Sequence, residues 1–559
     1  MSARKWCRLC VGVLWISAVA VLTLFSTGWA LAQGSESAKT NENNFIKLYP
    51  GVYTEKEKVL IDQYIAANKA IEDRGQVDVK ALISGTLPKD TPGIGPTLKV
   101  TEGMARYYNE KYDPENPLRV DADYARNAGY QDILVYPTFA AHDDSFMVPY
   151  PPKARDTLLV SDLIHSVTIY KPIYPGDTLY FVMNSRHFDD ITPPEGSIYR
   201  SVDIANKGSI YNQRAEKVLD VAYTVQENVK IYKEGLAPAN PTFGDIWEER
   251  GKASSSAGSK GNTKAGGAQT GPGGPGGPGG PGGPGGPGGP TYYYTDKDWK
   301  LIKDIWSKEK RQGSAPLYWE DVKIGDVPTI TLEGPIDKAP SVAVPWGMGL
   351  GGSKTTKMQI MDPAVFKTLI RCEKDGIYRS ANVEDFIPPL PKDASSGQLG
   401  EMGKMDAVLS DANGTGAALE PSPGCSPSSA GGMMNFSRRD LVIRHLTYWM
   451  GDKGWLYNIR WGGLYTEDMN ARGSSVKLPV NPETKKYSLL VPTEVMQRAR
   501  AGLDFGGGSA FVIAHSYVYR KFVRDGGFYV DLAWWLETTS GNEYGEGAAT
   551  IRLPSKSAK

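Results

Sequence analysis

Apolar and polar residues recur at helical spacing in parts of the first half of the chain and alternate in others. The helical spacing predicts a helix from Glu55 to about Asp73, and Thr101 is suited to cap a second helix. Alternation in four later stretches predicts strands. These stretches are Ser166–Tyr170, Tyr174–Met183, Ser197–Ile204 and Val218–Val225.

The second half repeats this order with insertions. Helical patterns run from about Lys297 to Arg311 and from about Arg438 to Met450. Between them, the Gly-, Ser- and Pro-rich stretch from Pro388 to Gly432 is typical of a loop. Three strands are predicted near the end of the chain, at Ala510–Arg520, Phe528–Glu537 and Gly547–Leu553. Helices followed by antiparallel strands indicate an α+β fold.

A Gly-Gly-Pro repeat from Gly271 to Pro290 separates the two halves, and its composition is typical of a flexible spacer. We therefore divide the chain into residues 1–32, 33–250, 251–296 and 297–559. The first of these is a targeting segment and the third is the linker. The second and fourth are the two folded halves.

The amino terminus has the features of a secretory signal. A basic start that includes Arg4 and Arg8 precedes an apolar run from Val11 to Phe25, and small residues end at Ala32. We expect cleavage after Ala32 and a periplasmic or secreted protein with no stable membrane span after cleavage. The alternative is an uncleaved anchor, although the apolar run is shorter than the ~18 residues that usually span a bilayer.

The balance of charges and the cysteine content indicate which partners, disulfides and metal sites to expect. Lys plus Arg and Asp plus Glu both number 63, which gives no reason to expect nucleic-acid binding. Cys372 and Cys425 remain after signal cleavage, and they form either a disulfide or two free thiols. No Cys/His spacing suited to a metal occurs, and we expect no metal site.

Two segments carry the candidate chemistry. The first runs from Asp113 to Tyr130 and reads DPENPLRVDADYARNAGY. It resembles the active-site stretch of MaoC-like (hydratase 2 type) enoyl-CoA hydratases, which reads roughly Gly-Asp-x-Asn-Pro-aliphatic-His, then an acidic residue and Tyr-Ala. The second, from Gly451 to Tyr457, aligns more faintly on the same pattern, and neither segment has the His.

Other stretches are similar to the subgroup of this family that has two hot-dog domains. They are Tyr174–Leu179, Leu317–Asp326, Trp449–Leu456 and Glu543–Pro554. The resemblance implies that each half is a long helix wrapped by a curved antiparallel sheet, and that the halves pack as a pseudo-dimer. It also leaves a homodimer of the whole chain open.

In the family, the Asp and the His of the motif act on the same water molecule, one of them as a base and the other as an acid. Carried over here, Asp113 is the candidate catalytic carboxylate, and Asn116 matches the family's Asn. Arg119 stands in place of the His. Because Arg stays protonated, it could bind a carboxylate or an oxyanion instead. The alternative is that this loop has kept its shape and lost its chemistry.

In the second segment, Asp452 is the candidate carboxylate and Tyr457 stands at the His position. His445 precedes Asp452 by seven residues, which is about two turns if the helix continues, so a replacement pair is conceivable. The alternative for His445 is a half-buried helix residue with a backbone partner.

A glycine-rich stretch from Gly347 to Gly352 formally matches GxGxxG, but no βαβ context follows, and we expect no nucleotide and no other cofactor. Trp346 and Gly347 are instead candidates for lining a substrate pocket. His142 is expected to lie in a solvated loop.

Two functions from different classes follow. The first is an exported hydratase or dehydratase that adds or removes water on an apolar acyl-like or hydroxylated small molecule. The second is a non-catalytic hot-dog protein that binds a hydrophobic small molecule. Coenzyme A thioesters are not expected outside the cytoplasm, so export argues against a standard enoyl-CoA hydratase.

Overall fold

The computed structural model describes residues 66–141, 158–190, 199–232, 292–335, 343–344, 348–349, 357–379, 435–462, 493–508, 510–541 and 543–557. Most of the predicted linker and the whole targeting segment lie outside these residues, so the boundaries proposed above remain predictions. Within the described residues, no helix is long and apolar enough to cross a membrane.

The first half contributes five strands and four short helices. The strands are β1 (Leu98–Lys99), β2 (Leu158–Ile169), β3 (Thr178–Asp190), β4 (Tyr199–Asn212) and β5 (Lys217–Tyr232). The helices are α1 (Val79–Ser84), α2 (Glu102–Tyr112), α3 (Pro117–Val120) and α4 (Ala122–Asn127), and residues 66–73 are also helical. The predicted cap is confirmed, because the Thr101 side chain accepts from the backbone N–H of Met104.

The second half contributes the remaining strands and five helices. The strands are β6 (Thr331–Glu333), β7 (Ala343–Val344), β8 (Met348–Gly349), β9 (Ile370–Arg371), β10 (Tyr378–Arg379), β11 (Trp455–Gly462), β12 (Val512–Arg524), β13 (Gly527–Thr538) and β14 (Glu543–Leu553). The helices are α5 (Asp296–Lys308), α6 (Lys357–Met361), α7 (Pro363–Phe366), α8 (Asn435–Met450) and α9 (Thr493–Arg500), with a 3₁₀ turn at Trp319–Asp321.

One antiparallel sheet of ten strands runs through both halves, in the order β1-β3-β4-β5-β2-β11-β14-β13-β12-β6. The halves meet where β2 pairs with β11, from Thr168 opposite Asn458 to Ile164 opposite Gly462. The amide of Asn458 also donates to the Val167 carbonyl at 3.0 Å, which reinforces this junction. The sheet ends on two very short edge strands, β1 and β6.

Helix α8 lies against the four long strands of the second half and is buried on nearly every side. Val442, Ile443 and Leu446 have no exposed surface, and they belong to a core cluster that includes residues of both halves. The polar residues Asp440, Arg444, His445 and Thr447 of this helix are buried as well, so the helix is enclosed by the rest of the fold. The α+β class and the hot-dog arrangement, a sheet wrapped around a central helix, are therefore confirmed.

The strands of the first half extend beyond the predicted ones. β5, for example, spans 16 residues where alternation predicted eight, because pairing on both sides holds residues that the pattern alone does not mark. His142, which is expected to lie in a solvated loop, is outside the described residues.

Candidate functional site

The first candidate segment folds as two short helices joined to the end of α2. Asp113 ends α2, and the Asn116 side chain caps α3 by accepting from the Leu118 N–H at 3.2 Å. The Asn116 amide also donates to Asp113 Oδ2 at 2.9 Å. Asp121 caps α4 in the same way. The Asn-Pro pair thus sets the backbone of the segment, because Pro117 suits the first position of a helix.

Arg119 is held in one orientation within this segment. Its Nε donates to Asp113 Oδ2 at 3.0 Å, and its Nη1 donates to the Val135 carbonyl at 3.1 Å. The guanidinium lies 4.9 Å from the ring centre of Tyr136. Asp113 is fully buried, and its Oδ1 has no hydrogen-bond partner in the described part of the chain.

The second candidate segment begins where α8 ends. Gly451 takes a left-handed conformation (φ +68°), and a Cβ there would lie 2.9 Å from both Gln312 Cγ and the Gly313 carbonyl oxygen. The Asp452 N–H donates to the Gly313 carbonyl at 2.9 Å. The chain then enters β11 at Trp455.

The carboxylate of Asp452 is buried and has partners on both oxygens. The Tyr124 hydroxyl donates to Oδ2 at 2.6 Å, and the Arg311 guanidinium donates to Oδ1. Tyr130 donates to the backbone carbonyl of Asp452 at 3.3 Å, and burial raises the pKa of Tyr130 above its usual value. Tyr124 and Tyr130 belong to the first segment, so the two segments meet at Asp452.

The two segments have different backbone structures, so the alignment of the second segment on the first is wrong. Residues 113–130 turn into two capped helices, whereas residues 451–457 pass directly from a central helix into a strand. The reason is local, because the Asn-Pro pair starts a helix in the first segment and the second has no such pair after Asp452.

Tyr457 lies away from Asp452, in a row of aromatic rings. Its ring centre is 6.0 Å from that of Tyr170 and 5.5 Å from that of Tyr529, and the Arg524 guanidinium lies 5.3 Å from it. It does not line the pocket described below. The structure therefore does not bring Tyr457 to the position that the alignment suggested.

The conceivable pair of His445 and Asp452 does not form, because α8 ends at Met450 and Gly451 changes the direction of the chain. His445 is buried, and its Nε2 makes a 2.7 Å hydrogen bond with Ser516 Oγ. Burial and the charge of Arg444 lower the pKa of His445 to about 3. The expected helix residue is thus present, with a side-chain partner instead of a backbone one.

A pocket that is partly open to solvent lies where the two segments meet. Both halves contribute polar residues to its lining, and most of the other lining residues are apolar. The lining residues are Asn116, Leu118, Arg119, Tyr130, Leu134, Val135, Tyr136, Pro137, Ile169, Lys171, Pro172, Ile173, Leu219, Thr447, Met450, Gly451, Asp452, Gly454, Trp455 and Leu456. Of the predicted site residues, Asn116, Arg119 and Asp452 come together here, and Asp113 lies behind Arg119.

A buried charge network lies behind the first segment. Arg444 donates to Glu333 at 2.7 Å and to Glu309 at 3.0 Å, and Lys357 donates to Glu309 at 2.8 Å and to Glu115 at 2.9 Å. Burial, partly offset by Arg444, raises the pKa of Glu333 to about 7. Burial also disfavours charge on Glu309, but Arg444 and Lys357 outweigh it and lower its pKa.

Several residues at the site could not be singled out from sequence. Arg311 lies just past the end of α5 and contacts Asp452, Tyr124 and Asn116, yet nothing in its neighbours along the chain marks it. Tyr124 was part of the motif stretch, but its contact with Asp452 depends on the packing of the two halves.

Other predicted residues fall partly or wholly outside the described residues. Trp346 and Gly347 lie outside them, as does Cys425. Cys372 is disulfide-bonded, which favours the disulfide over two free thiols. Within the described residues, no cluster of three or more His, Cys, Asp or Glu side chains could hold a metal ion.

Several solved structures are similar to the chain. A MaoC-like dehydratase matches 83% of this chain and 97% of its own length at 12% identity, with a TM-score of 0.37. A Mycobacterium tuberculosis protein described as having a double hotdog fold matches 82% of this chain and 93% of its own length at 9% identity, with a TM-score of 0.33. Both TM-scores are below 0.5, and no property of this chain is inferred from these two matches.

No protein-family model matches the chain. A UPF0336 protein from Saccharopolyspora erythraea is 30% identical over 128 residues, which are 21% of this chain and 79% of that protein. Because this match covers most of the relative, the chain belongs to the UPF0336 family.

Proposed function

We propose that this protein is a hydratase or dehydratase that adds or removes water on an apolar, acyl-like small molecule bound in the pocket between its halves. One observation carries the proposal. The pocket places the carboxylate of Asp452, from the second half, beside Asn116, Arg119 and Tyr130 from the first.

In the hydration direction, Asp452 takes a proton from water while the water oxygen bonds to one carbon of the substrate double bond. The electron pair of the double bond then takes a proton at the neighbouring carbon. Tyr130, which its raised pKa keeps protonated, is the candidate donor of that proton. Dehydration reverses these steps. The side chains of Arg119 and Asn116 orient the polar end of the substrate.

Asp452 can serve as a base even though Tyr124 and Arg311 contact it. A carboxylate has about four lone-pair sites on its two oxygens, so water can use one that these partners leave open. The two partners also fix the carboxylate toward the pocket, as preorganisation of a catalytic group requires. Arg311 and Tyr124 are thus positioning residues in this proposal.

We further propose that the protein acts after export, in the periplasm or outside the cell, as the signal-like amino terminus indicates. The substrate would then not be a coenzyme A thioester. A small molecule that reaches that compartment by itself, such as an unsaturated acid or a hydroxylated terpenoid or steroid, fits the apolar lining better.

A second candidate function is binding without turnover. It is favoured by the contacts of Asp452, because the Tyr124 hydroxyl and the Arg311 guanidinium already bind its two carboxylate oxygens. In this case Asp452 would hold the two halves together, and the pocket would carry a hydrophobic ligand.

Exchange of oxygen with labelled water separates the two candidates. The full-length protein would be incubated in H₂¹⁸O with unsaturated acids, their thioesters, and hydroxylated terpenoids and steroids, and label would be measured by mass spectrometry. We expect incorporation that Asp452→Asn reduces by about 10²-fold or more, as is typical for loss of a general base.

The matched control is Asp375→Asn, which breaks the buried Asp375–Arg379 ion pair away from the pocket. It should leave exchange intact if the folded fraction is preserved. Ligand binding with no label in any substrate would support the carrier and refute the enzyme.

A further inference from the structure

We infer that the pocket recognises its ligand through a free carboxylate, which binds the guanidinium of Arg119. The inference rests on the proposed function in placing the ligand in this pocket, and it names the substrate class as apolar carboxylic acids, not thioesters. The inference does not rest only on the Arg that stands in place of the family's His. It depends on the contacts that hold Arg119.

The orientation of Arg119 leaves one of its three guanidinium nitrogens, Nη2, without a hydrogen bond to the described residues. Its hydrogen bonds to Asp113 and to the Val135 and Leu134 carbonyls use Nε and Nη1. Among the described residues, no hydrogen bond uses Nη2. An Arg that is fixed by packing and has donors to spare is suited to planar carboxylate groups, because its side-chain entropy is already lost.

The charges around the pocket favour an anion. Asp113 balances Arg119, and Asp452 balances Arg311, each within hydrogen-bond distance. Lys171 lines the pocket as well, and the carboxylate nearest to it, that of Glu216, is 3.9 Å away on an exposed surface. Because exposed pairs of this kind are weak, Lys171 leaves an excess of positive charge at the pocket.

The remaining lining specifies an apolar body for the ligand. Leucine, isoleucine, valine and methionine side chains from both halves are 8 of the 20 lining residues, and the Trp455 ring lies on the side of the second half. A thioester carbonyl is neutral and has no charge to match Arg119. A carboxylate forms charge-assisted hydrogen bonds with the guanidinium, which are roughly twice as strong as hydrogen bonds between neutral groups.

Calorimetric titration of the full-length protein with octanoate, methyl octanoate and the N-acetylcysteamine thioester of octanoate tests the inference. We expect the acid to bind about ten- to a hundredfold more tightly than the ester or the thioester, which is the strength of a hydrogen bond to a charged group. Arg119→Lys should retain part of this preference, and Arg119→Met should abolish it.

Arg119→Met leaves Asp113 buried without its cation, so the variant could be unstable. The double variant Asp113→Asn/Arg119→Met removes both charges and provides a folded test of the same contact. Arg520→Met, which removes an exposed cation outside the pocket, is the control and should bind all three ligands as the unmodified protein does.

Equal affinity for the acid and the ester, or binding of none of the three, would overturn the inference. Failure of the proposed function looks different. Selective binding of the acid with no ¹⁸O exchange would retain carboxylate recognition and refute catalysis. Exchange on the thioester alone would retain the hydratase and refute carboxylate recognition.

Discussion

The segments 113–130 and 451–457 each bring an ion pair to the same region, but the two pairs differ in setting. Asp113 and Arg119 lie six residues apart in one loop, and their side chains are 0% and 5% exposed. Asp452 and Arg311 come from distant parts of the chain, and Arg311 is 17% exposed. The first pair is internal to its segment, whereas the second joins separate elements around the pocket.

This difference assigns separate roles to the two carboxylates. Asp113 is enclosed behind Arg119 and fixes that guanidinium, so it acts on a ligand only through Arg119. Asp452 lines the pocket itself. The two segments have similar sequences, but the first forms capped helices and the second starts a strand. Their similarity in sequence therefore does not indicate similar chemistry.

Removing each arginine tests the comparison most strongly. Arg119→Met should lower the free energy of unfolding by about 3–5 kcal/mol, because it leaves Asp113 buried and uncompensated. Arg311→Met should cost less, about 1–2 kcal/mol, because Asp452 keeps the Tyr124 hydroxyl as a partner. Urea unfolding followed by circular dichroism measures both. A larger loss for Arg311→Met would reverse the roles assigned to the two pairs.

The charge network that joins the first segment to α8 predicts a pH effect of intermediate size. Glu333 faces Arg444, Glu309 and Asp113, and its folded-state pKa of about 7 exceeds its ordinary value of 4.5. Between these values the folded state binds a proton that the unfolded state releases. Stability contributed by Glu333 is therefore lost as pH rises from 4.5 to 7, and the penalty persists above pH 7.

Glu333→Gln removes this titration. The free energy of unfolding of the variant, minus that of the unmodified protein, should rise across pH 5–7 and level off above pH 7. Chemical unfolding at a series of pH values measures this difference, in which the contributions of other groups, including the buried His445 and His515, cancel. A difference that is flat with pH would show that Glu333 is charged throughout.

The turn that starts the second segment gives the smallest expected difference between two variants. Gly85 and Gly451 both end helices with similar φ, +73° and +68°, but a Cβ at Gly85 would meet nothing within 4 Å. Gly85→Ala should cost about 1 kcal/mol from backbone strain alone. Gly451→Ala should cost more, about 2–3 kcal/mol, because Gln312 and the Gly313 carbonyl must also move. Thermal unfolding of the two variants compares them, and equal losses would contradict close packing at Gly451.

Much of the fold followed from sequence because each half repeats simple patterns. The helix ending at Met450 and the strand around Phe528–Glu537 were predicted within a few residues of their observed bounds, since both are continuous stretches rich in apolar residues. The junction of β2 with β11 did not follow, because strand pairing between halves depends on contacts nearly 300 residues apart.

The site was predicted only in part, because the sequence marks local motifs but not contacts between distant parts of the chain. Asn116, Arg119 and Asp452 lie in recognisable local motifs and line one pocket. Arg311 could not be predicted, since only the approach of the end of α5 to Asp452 gives it a partner. His445 was paired with Asp452 by spacing along an assumed continuous helix, and Gly451 ends that helix first. Tyr457 was placed by aligning the second segment on the first, whose backbone differs.

The short strands at the two ends of the sheet affect how copies of the protein could assemble. β1 has two residues and β6 has three, so these two strands themselves offer few free backbone groups to a strand from another molecule. Short edge strands are one way in which proteins prevent further strand addition and aggregation. If two copies of this chain associate, we therefore expect contact through the broad faces of the sheet or through loops, and not continuation of the sheet from one molecule into the next.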